Sequence, residues 1–158
     1  MSVELVTESS DELVHACNNL LVQLSRSALS LSAEQVEDLL AQPALHLFIF
    51  RSDVNHKILG MLSLATFTIP TGLRAWVEDV VVSEEARGQG AGHELVKAAV
   101  TYAKELGART VDLTSRPSRE AANRLYRRCG FQLRETNVYR ISTQHDEEAV
   151  FRSTSSLS

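Results

Sequence analysis

Three of the seven glycines in this 158-residue chain, Gly88, Gly90 and Gly92, fall within five positions of the stretch "VVVSEEARGQGAGHEL" (80–95). Glycine loses more conformational freedom on ordering than any other residue, so such a cluster marks a backbone that turns sharply or approaches something closely. An apolar run precedes it and a helical pattern follows. That placement points to anion binding, with a phosphate held by the free N–H groups and dipole of a helix N-terminus. Two phosphate loops fail on the neighbouring residues. In G-x-G-x-x-G the third glycine allows close helix–strand packing, and here His93 stands in its place. The residues "SEEA" separate strand from loop, and Asp112 lies inside "TVDLTS" instead of at its tip, which also disfavours a dinucleotide site. No Lys-Ser or Lys-Thr pair follows the glycines, so a P-loop is excluded as well.

The rest of the composition narrows the class. A 44% hydrophobic and 23% charged chain of this length fits one globular domain. The net charge of −4 argues against nucleic acid as a partner. Cys17 and Cys129 are far apart, without CxxC or metal-ligand spacing, and are expected to pack as small apolar residues; no metal is expected. No apolar run reaches the roughly 20 residues of a membrane span and "MSVELVTESS" has no secretory pattern. The expectation is a cytoplasmic protein with no membrane partner.

The elements that must position the glycines follow from periodicity. "VELV" (3–6) reads as a strand. Ser9 or Ser10 caps a helix with Leu13, Ala16, Cys17, Leu20, Leu21 and Leu24 on one face. Ser32 and Gln35 form a capping box for a second helix bearing Val36, Leu39 and Leu40, which Pro43 ends. "LHLFIF" (45–50) and "ILGMLSLATFTI" (58–69) flank the polar turn "SDVNHK" as a hairpin, and "AWVEDVVV" (75–82) is a further strand. Beyond the glycines Leu95, Val96, Ala99, Val100, Ala103 and Leu106 form a helical stripe closed by Gly107. "TVDLTS" (110–115) reads as a strand. Pro117 and Ser118 open a helix with Ala121, Ala122, Leu125 and Tyr126, ended by Gly130. "FQLRE" and "NVYRIST" suggest a terminal hairpin. The sum is an α/β (α+β) domain, a central twisted mixed sheet with about four helices and one right-handed β–α–β crossover at the glycines. One domain over 1–143 and a polar, disordered tail over 144–158 are expected.

Arg87-Gly88-Gln89-Gly90-Ala91-Gly92 matches Q/R-x-x-G-x-G/A, and "AANRLYRRCGF" (121–131) matches A-x-x-L-Y-x-x-x-G-F. In this order and separation, the two signatures resemble those of the Gcn5-related N-acetyltransferase (GNAT) superfamily, over about residues 3 to 142. The resemblance implies acetyl-CoA as cosubstrate. Its pantetheine arm would pair with backbone groups left free by a β-bulge at Val80, Val81 and Val82, a small-molecule form of strand addition. Its pyrophosphate would lie over Gly88, Gln89, Gly90, Ala91, Gly92 and His93, with charge added by Arg87, and a side chain at the three glycines would intrude on it.

The same resemblance assigns Tyr126 as general acid toward the coenzyme sulfur and a backbone N–H near Val80 as donor to the carbonyl oxygen. Glu78 is the candidate base. Asp79 or a water relay are alternatives, because strand alternation sends the two carboxylates to opposite faces unless a bulge intervenes. Two positions depart from the family pattern. Many members carry an asparagine seven residues before the tyrosine to bind the pantetheine; this chain has Arg119 there, with Asn123 nearby but out of register, and these two are the candidate coenzyme contacts on that side. The ribosomal-protein type of N-terminal acetyltransferase has a glutamate twelve residues before it, where this chain has Thr114.

The expected function is N-acetylation of a primary amine by direct transfer, the acceptor a small molecule. A peptide or protein acceptor and a non-catalytic acetyl-CoA sensor are the alternatives, and a homodimer stays open. The acceptor pocket is expected from the first two helices, the hairpin connection and the "FTIPTGLRA" loop (67–75), with Arg74, Arg116 and Arg119 either solvated surface residues or contacts for an acceptor's carboxylate or phosphate.

Overall fold

Local signals set the helix starts. Ser10 accepts from the Leu13 amide and opens α1 (Asp11–Leu24), so the second of the two candidate serines is the cap. The Ser32–Gln35 box forms in both directions and opens α2 (Ala33–Ala41). Such caps contribute on the order of 1 kcal/mol each by satisfying amides that have no helical partner. The computed structural model of the chain describes residues 2–144. In it β1 (Ser2–Val6), β2 (Leu45–Arg51), β3 (Ile58–Ile69), β4 (Gly72–Val82) and β5 (Val111–Asp112) form one sheet in chain order. Neighbours are antiparallel until β4, which pairs with β5 in parallel. α3 (Ala91–Glu105) makes the crossover between those two strands, and α4 (Glu120–Arg128) follows β5.

Alternation along the strands feeds two cores, one on each face. Leu47 and Ile49 of β2 pack with Leu13, Cys17 and Leu20 of α1 and Val36 of α2. Phe48 and Phe50 face the other way, toward Leu95, Val96 and Ala99 of α3 and Tyr126 of α4. Both cysteines are free, and Cys17 is buried in the first of these cores.

The structure departs from the expected elements in four places. "TVDLTS" forms a ladder only at Val111 and Asp112, because β4 and the chain after β5 diverge beyond that point. The terminal hairpin is absent: 131–144 has no strand pairing, and Leu133 and Ile141 are 89% and 86% exposed. A single residue, Thr136, separates the two runs, with no glycine to supply a hairpin turn. The "FTIPTGLRA" segment is itself a tight β3–β4 hairpin turning at Pro70–Thr71. Gly72 sits there at φ +127°, and a Cβ on it would lie 2.7 Å from Arg109 Cδ. Finally, α4 begins at Glu120, since a turn from Arg116 to Arg119 (N···O 3.0 Å) occupies the Pro117–Ser118 step first. The expected tail falls almost wholly outside the described residues.

Candidate active site

The glycine loop is built as a strand-to-helix handover. After β4, Ser83 caps a 3-10 turn at Glu84–Ala86, and the chain then passes through Gly88 (φ +81°) and Gly90 (φ +73°) into α3. Gly90 is the N-cap of α3 and offers no side-chain cap. The first helical bond runs from the Glu94 amide to the Gly90 carbonyl, so the amides of Ala91, Gly92 and His93 have no acceptor among the described residues. A Cβ at Gly88 or Gly90 would meet nothing within 4 Å, which leaves open space above the loop.

Gly92 has a different reason. A Cβ there would stand 2.9 Å from Leu125 Cδ2, so the missing side chain lets α3 approach α4. At Gly92 the structure therefore adds a packing reason beside the expected clearance for phosphate.

The side chains around the loop are largely committed. Gln89 accepts from the Ser52 hydroxyl (3.3 Å) and donates to the Glu85 carbonyl (3.4 Å), tying the loop to the buried end of β2. Arg87 forms an exposed pair with Glu84 at 3.4 Å, of little energetic weight. His93 Nδ1 lies 3.9 Å from Glu94.

β4 carries the bulge. Ser63 pairs with Glu78 and Met61 with Val81, so a single β3 residue, Leu62, opposes both Asp79 and Val80. Asp79 takes the left-handed conformation at φ +49°. The extra residue reverses the alternation. Before it, Ala75 and Val77 face the α3–α4 core; after it, Val80 and Val82 do, while Val81 turns to the α1 side. Glu78 is exposed, and its Oε1 accepts from Trp76 Nε1 at 2.8 Å, the two side chains sharing a strand face. Burial, and then the nearby charge of Glu78, raise the pKa of Asp79.

On the β5 side, β4 is unpaired beyond Trp76. Its edge from Val77 to Val82 therefore opens a wedge against the chain leaving β5. In that outgoing chain Ser115 Oγ is buried without a hydrogen-bond partner among the described residues.

Tyr126, 7% exposed, lies on α4 with its ring edge-on to Phe131 at 6.0 Å. Its hydroxyl makes no hydrogen bond among the described residues. Burial pushes the phenol pKa up, with Arg119 opposing and Cys129 adding, so the group stays a neutral donor at ordinary pH. Burial also raises the Cys129 thiol, which argues against an activated thiolate there. Asn123 donates to the Arg116 carbonyl (3.0 Å) and so fixes the turn before α4. Arg119 is the N-cap residue of α4 and lines an open depression of about 450 Å³ with Ser118, Glu120, Ala121, Ala122 and Arg124.

Sequence reasoning missed Ser52, Ser115 and the Trp76–Glu78 bond. The i, i+2 spacing of Trp76 and Glu78 on a strand was a usable signal for the last; nothing local marks the two serines.

The profile of the acetyltransferase (GNAT) family matches residues 15–131. The chain belongs to this family, and is an acetyltransferase by it. No curated protein matches it in sequence. Solved structures of similar fold include a protein of Agrobacterium tumefaciens str. C58 described as an acetyltransferase. That one has a TM-score of 0.78 and 23% identity, over 90% of this chain and 100% of that one. An aminoglycoside acetyltransferase from an uncultured soil metagenomic sample gives 0.77 and 20%, over 91% and 96%. Glucosamine-6-phosphate N-acetyltransferase from Arabidopsis thaliana gives 0.73 and 18%, over 89% and 99%. Among the described residues no helix is long and apolar enough to cross a membrane.

Acetyl-CoA is the acetyl donor that the GNAT family uses. The residues present fit it. Open space lies above Gly88 and Gly90, three amides at the start of α3 await an anion, and the orphaned Ser115 hydroxyl lies beyond the parting of β4 and β5.

Proposed function

We propose that this single-domain acetyltransferase moves an acetyl group from acetyl-CoA directly to the primary amine of a small molecule. The observation that carries the reading is the parting of β4 from β5 beside the Asp79–Val80 bulge, which leaves strand-edge amides unpaired next to an uncapped helix N-terminus. Acetyl-CoA, when bound, supplies the thioester. Ala91, Gly92 and His93 amides hold its pyrophosphate, and the edge amides of Val80 to Val82 hold its arm and the carbonyl oxygen. Glu78, oriented by Trp76, takes the proton that the amine gives up. Asp79, with its raised pKa, stands next to it as the alternative acceptor. Tyr126 holds on Oη the proton that the coenzyme's thiolate would need on leaving. A small acceptor is supported by two structural relatives, whose names give an aminoglycoside and glucosamine-6-phosphate as the compounds acetylated.

The test is CoA release over a broad panel of small amines, amino sugars included, with N-terminal peptides run in parallel. Turnover on amino sugars or other small amines supports the reading. Turnover confined to peptides refutes the acceptor class, and acetyl-CoA binding without turnover on either set refutes catalysis.

A further inference from the structure

The glycine loop carries a single side chain at its freest point. Gly88 and Gly90 take positive φ, at +81° and +73°, and Gln89 is the one residue between them. Glycine gives such a segment many backbone states, so whatever holds it in one of them has to come from its neighbours. The exposed pair of Arg87 with Glu84 adds little. The Gln89 side chain instead bridges two fixed points. Its Nε2 donates to the Glu85 carbonyl at 3.4 Å, and its Oε1 accepts from Ser52 Oγ at 3.3 Å.

The surroundings of Ser52 hold that hydroxyl still. Ser52 is 1% exposed and is, with Ser83, one of two buried polar residues among those described. Both serve this loop, since Ser83 Oγ accepts from the Glu85 amide at 3.3 Å. The Ser52 amide donates to the Lys57 carbonyl, and the Ser52 carbonyl accepts from the His56 amide, both at 2.9 Å. Ser52 Oγ accepts from the Val54 amide at 3.2 Å, which leaves its one hydrogen to point at Gln89. Arg51 fixes the 52–57 turn from outside: it donates to the His56 carbonyl at 2.9 Å and pairs with Glu4 of β1 and Glu12 of α1. A continuous run of polar contacts therefore leads from β1 and α1, through this turn, to the glycine loop.

We infer that Ser52 is a positioning residue for the coenzyme. Through Gln89 it holds Gly88 and Gly90 in the conformation that aims the loop and the first amides of α3 at a pyrophosphate before acetyl-CoA arrives. The inference rests on the coenzyme reading of this loop given above. Ser52 is buried and acts only through Gln89, by removing loop states that do not bind and so lowering the ordering cost of binding. A hydrogen bond between neutral groups shifts an equilibrium by a factor of about 5, so its loss should weaken coenzyme binding by about 3- to 10-fold.

The experiment is calorimetric titration with CoA, beside amide hydrogen exchange on the unliganded chain, for the parent, Ser52→Ala, Gln89→Ala and the double variant. In each single variant the CoA dissociation constant should rise about 3- to 10-fold, and the bonded loop amides of Ala86, Arg87 and Gln89 should exchange faster. The double variant should bind no more weakly than the weaker single one, because both changes break the same contact. In turnover the effect of Ser52→Ala should fall on the KM for acetyl-CoA and not on that of the acceptor. An unchanged dissociation constant in Ser52→Ala, with only a lower melting temperature, makes Ser52 a packing residue and overturns the inference. Additive losses in the double variant also overturn it. A parent that binds no CoA refutes the coenzyme reading itself, and the inference with it. If Ser52→Ala does not fold, Gln89→Ala on the exposed loop decides by the same two readouts, and parent-like affinity and exchange there overturn the inference.

Discussion

Replacing Tyr126 by Phe separates chemistry from packing more cleanly than any other change at this site. The ring is 7% exposed and lies edge-on to Phe131 at 6.0 Å, contacts that a phenylalanine ring reproduces. The hydroxyl has no hydrogen-bond partner among the described residues, so its removal strands no donor or acceptor. The usual loss of about 1–3 kcal/mol for breaking a buried pair therefore does not apply. Ser115 Oγ, not Tyr126 Oη, is the buried unpartnered side-chain atom among the described residues, so no unsatisfied group is relieved either, and the melting temperature should hold within roughly 2 °C. Turnover should fall about 10- to 10³-fold, equivalent to about 1.4–4 kcal/mol of barrier, with the acceptor KM little changed. Because burial raises the phenol pKa, the alkaline limb of activity that belongs to Tyr126 lies above the ordinary phenol range in the parent and vanishes in the variant. The stability counterpart has the same sign. The folded pKa exceeds the unfolded one, so this contribution is complete below the unfolded value and is lost as pH rises through the folded value. The assay is steady-state CoA release beside a thermal melt. Parent-like turnover in Tyr126→Phe would refute the proton-donor role and leave a packing residue.

Glu78→Gln should lower kcat by about 10²- to 10⁴-fold at neutral pH, and Trp76→Phe should give a smaller loss by freeing Glu78; unchanged turnover in both would transfer the role to Asp79 or water. Asp79→Asn should raise the melting temperature slightly at pH 7, since it removes a like charge beside Glu78 on an exposed stretch of β4 and places at φ +49° a residue that tolerates the left-handed region. The raised folded pKa means that the parent is penalised above it and not below the unfolded value. The gap between the two melting curves should therefore close as pH falls through the carboxylate range, and a pH-independent gap would discount the charge argument. Gly90→Asp should abolish the melting shift produced by acetyl-CoA. Gly92→Ala should keep most of that shift while lowering the unliganded melt through Leu125; the reverse pattern would overturn the division of labour among the glycines.

Residues near one another in the chain carried what was legible from sequence. The Ser32–Gln35 box, the stripe from Leu95 to Ala103 and the alternation of Leu47 to Phe50 are local patterns with periods of 3.6 or 2, and each forms the element it specifies. The two signatures at 87–92 and 121–131 were enough for family and fold, because a turn that needs positive φ at Gly88 and Gly90 restricts residue type in place. Tertiary contact decided the rest. Whether Gly92 serves a ligand or a neighbour depends on Leu125, thirty-three positions away. The face that Glu78 shares with Trp76 is interrupted by a bulge that exists only in the register of β4 against β3. "TVDLTS" and "NVYRIST" have strand-like composition, yet a ladder also needs a partner in register. Only two residues of the first find one within this chain, and the second finds none among the described residues. Alternation describes what a strand offers; pairing depends on what stands beside it, and that is a property of the assembled sheet.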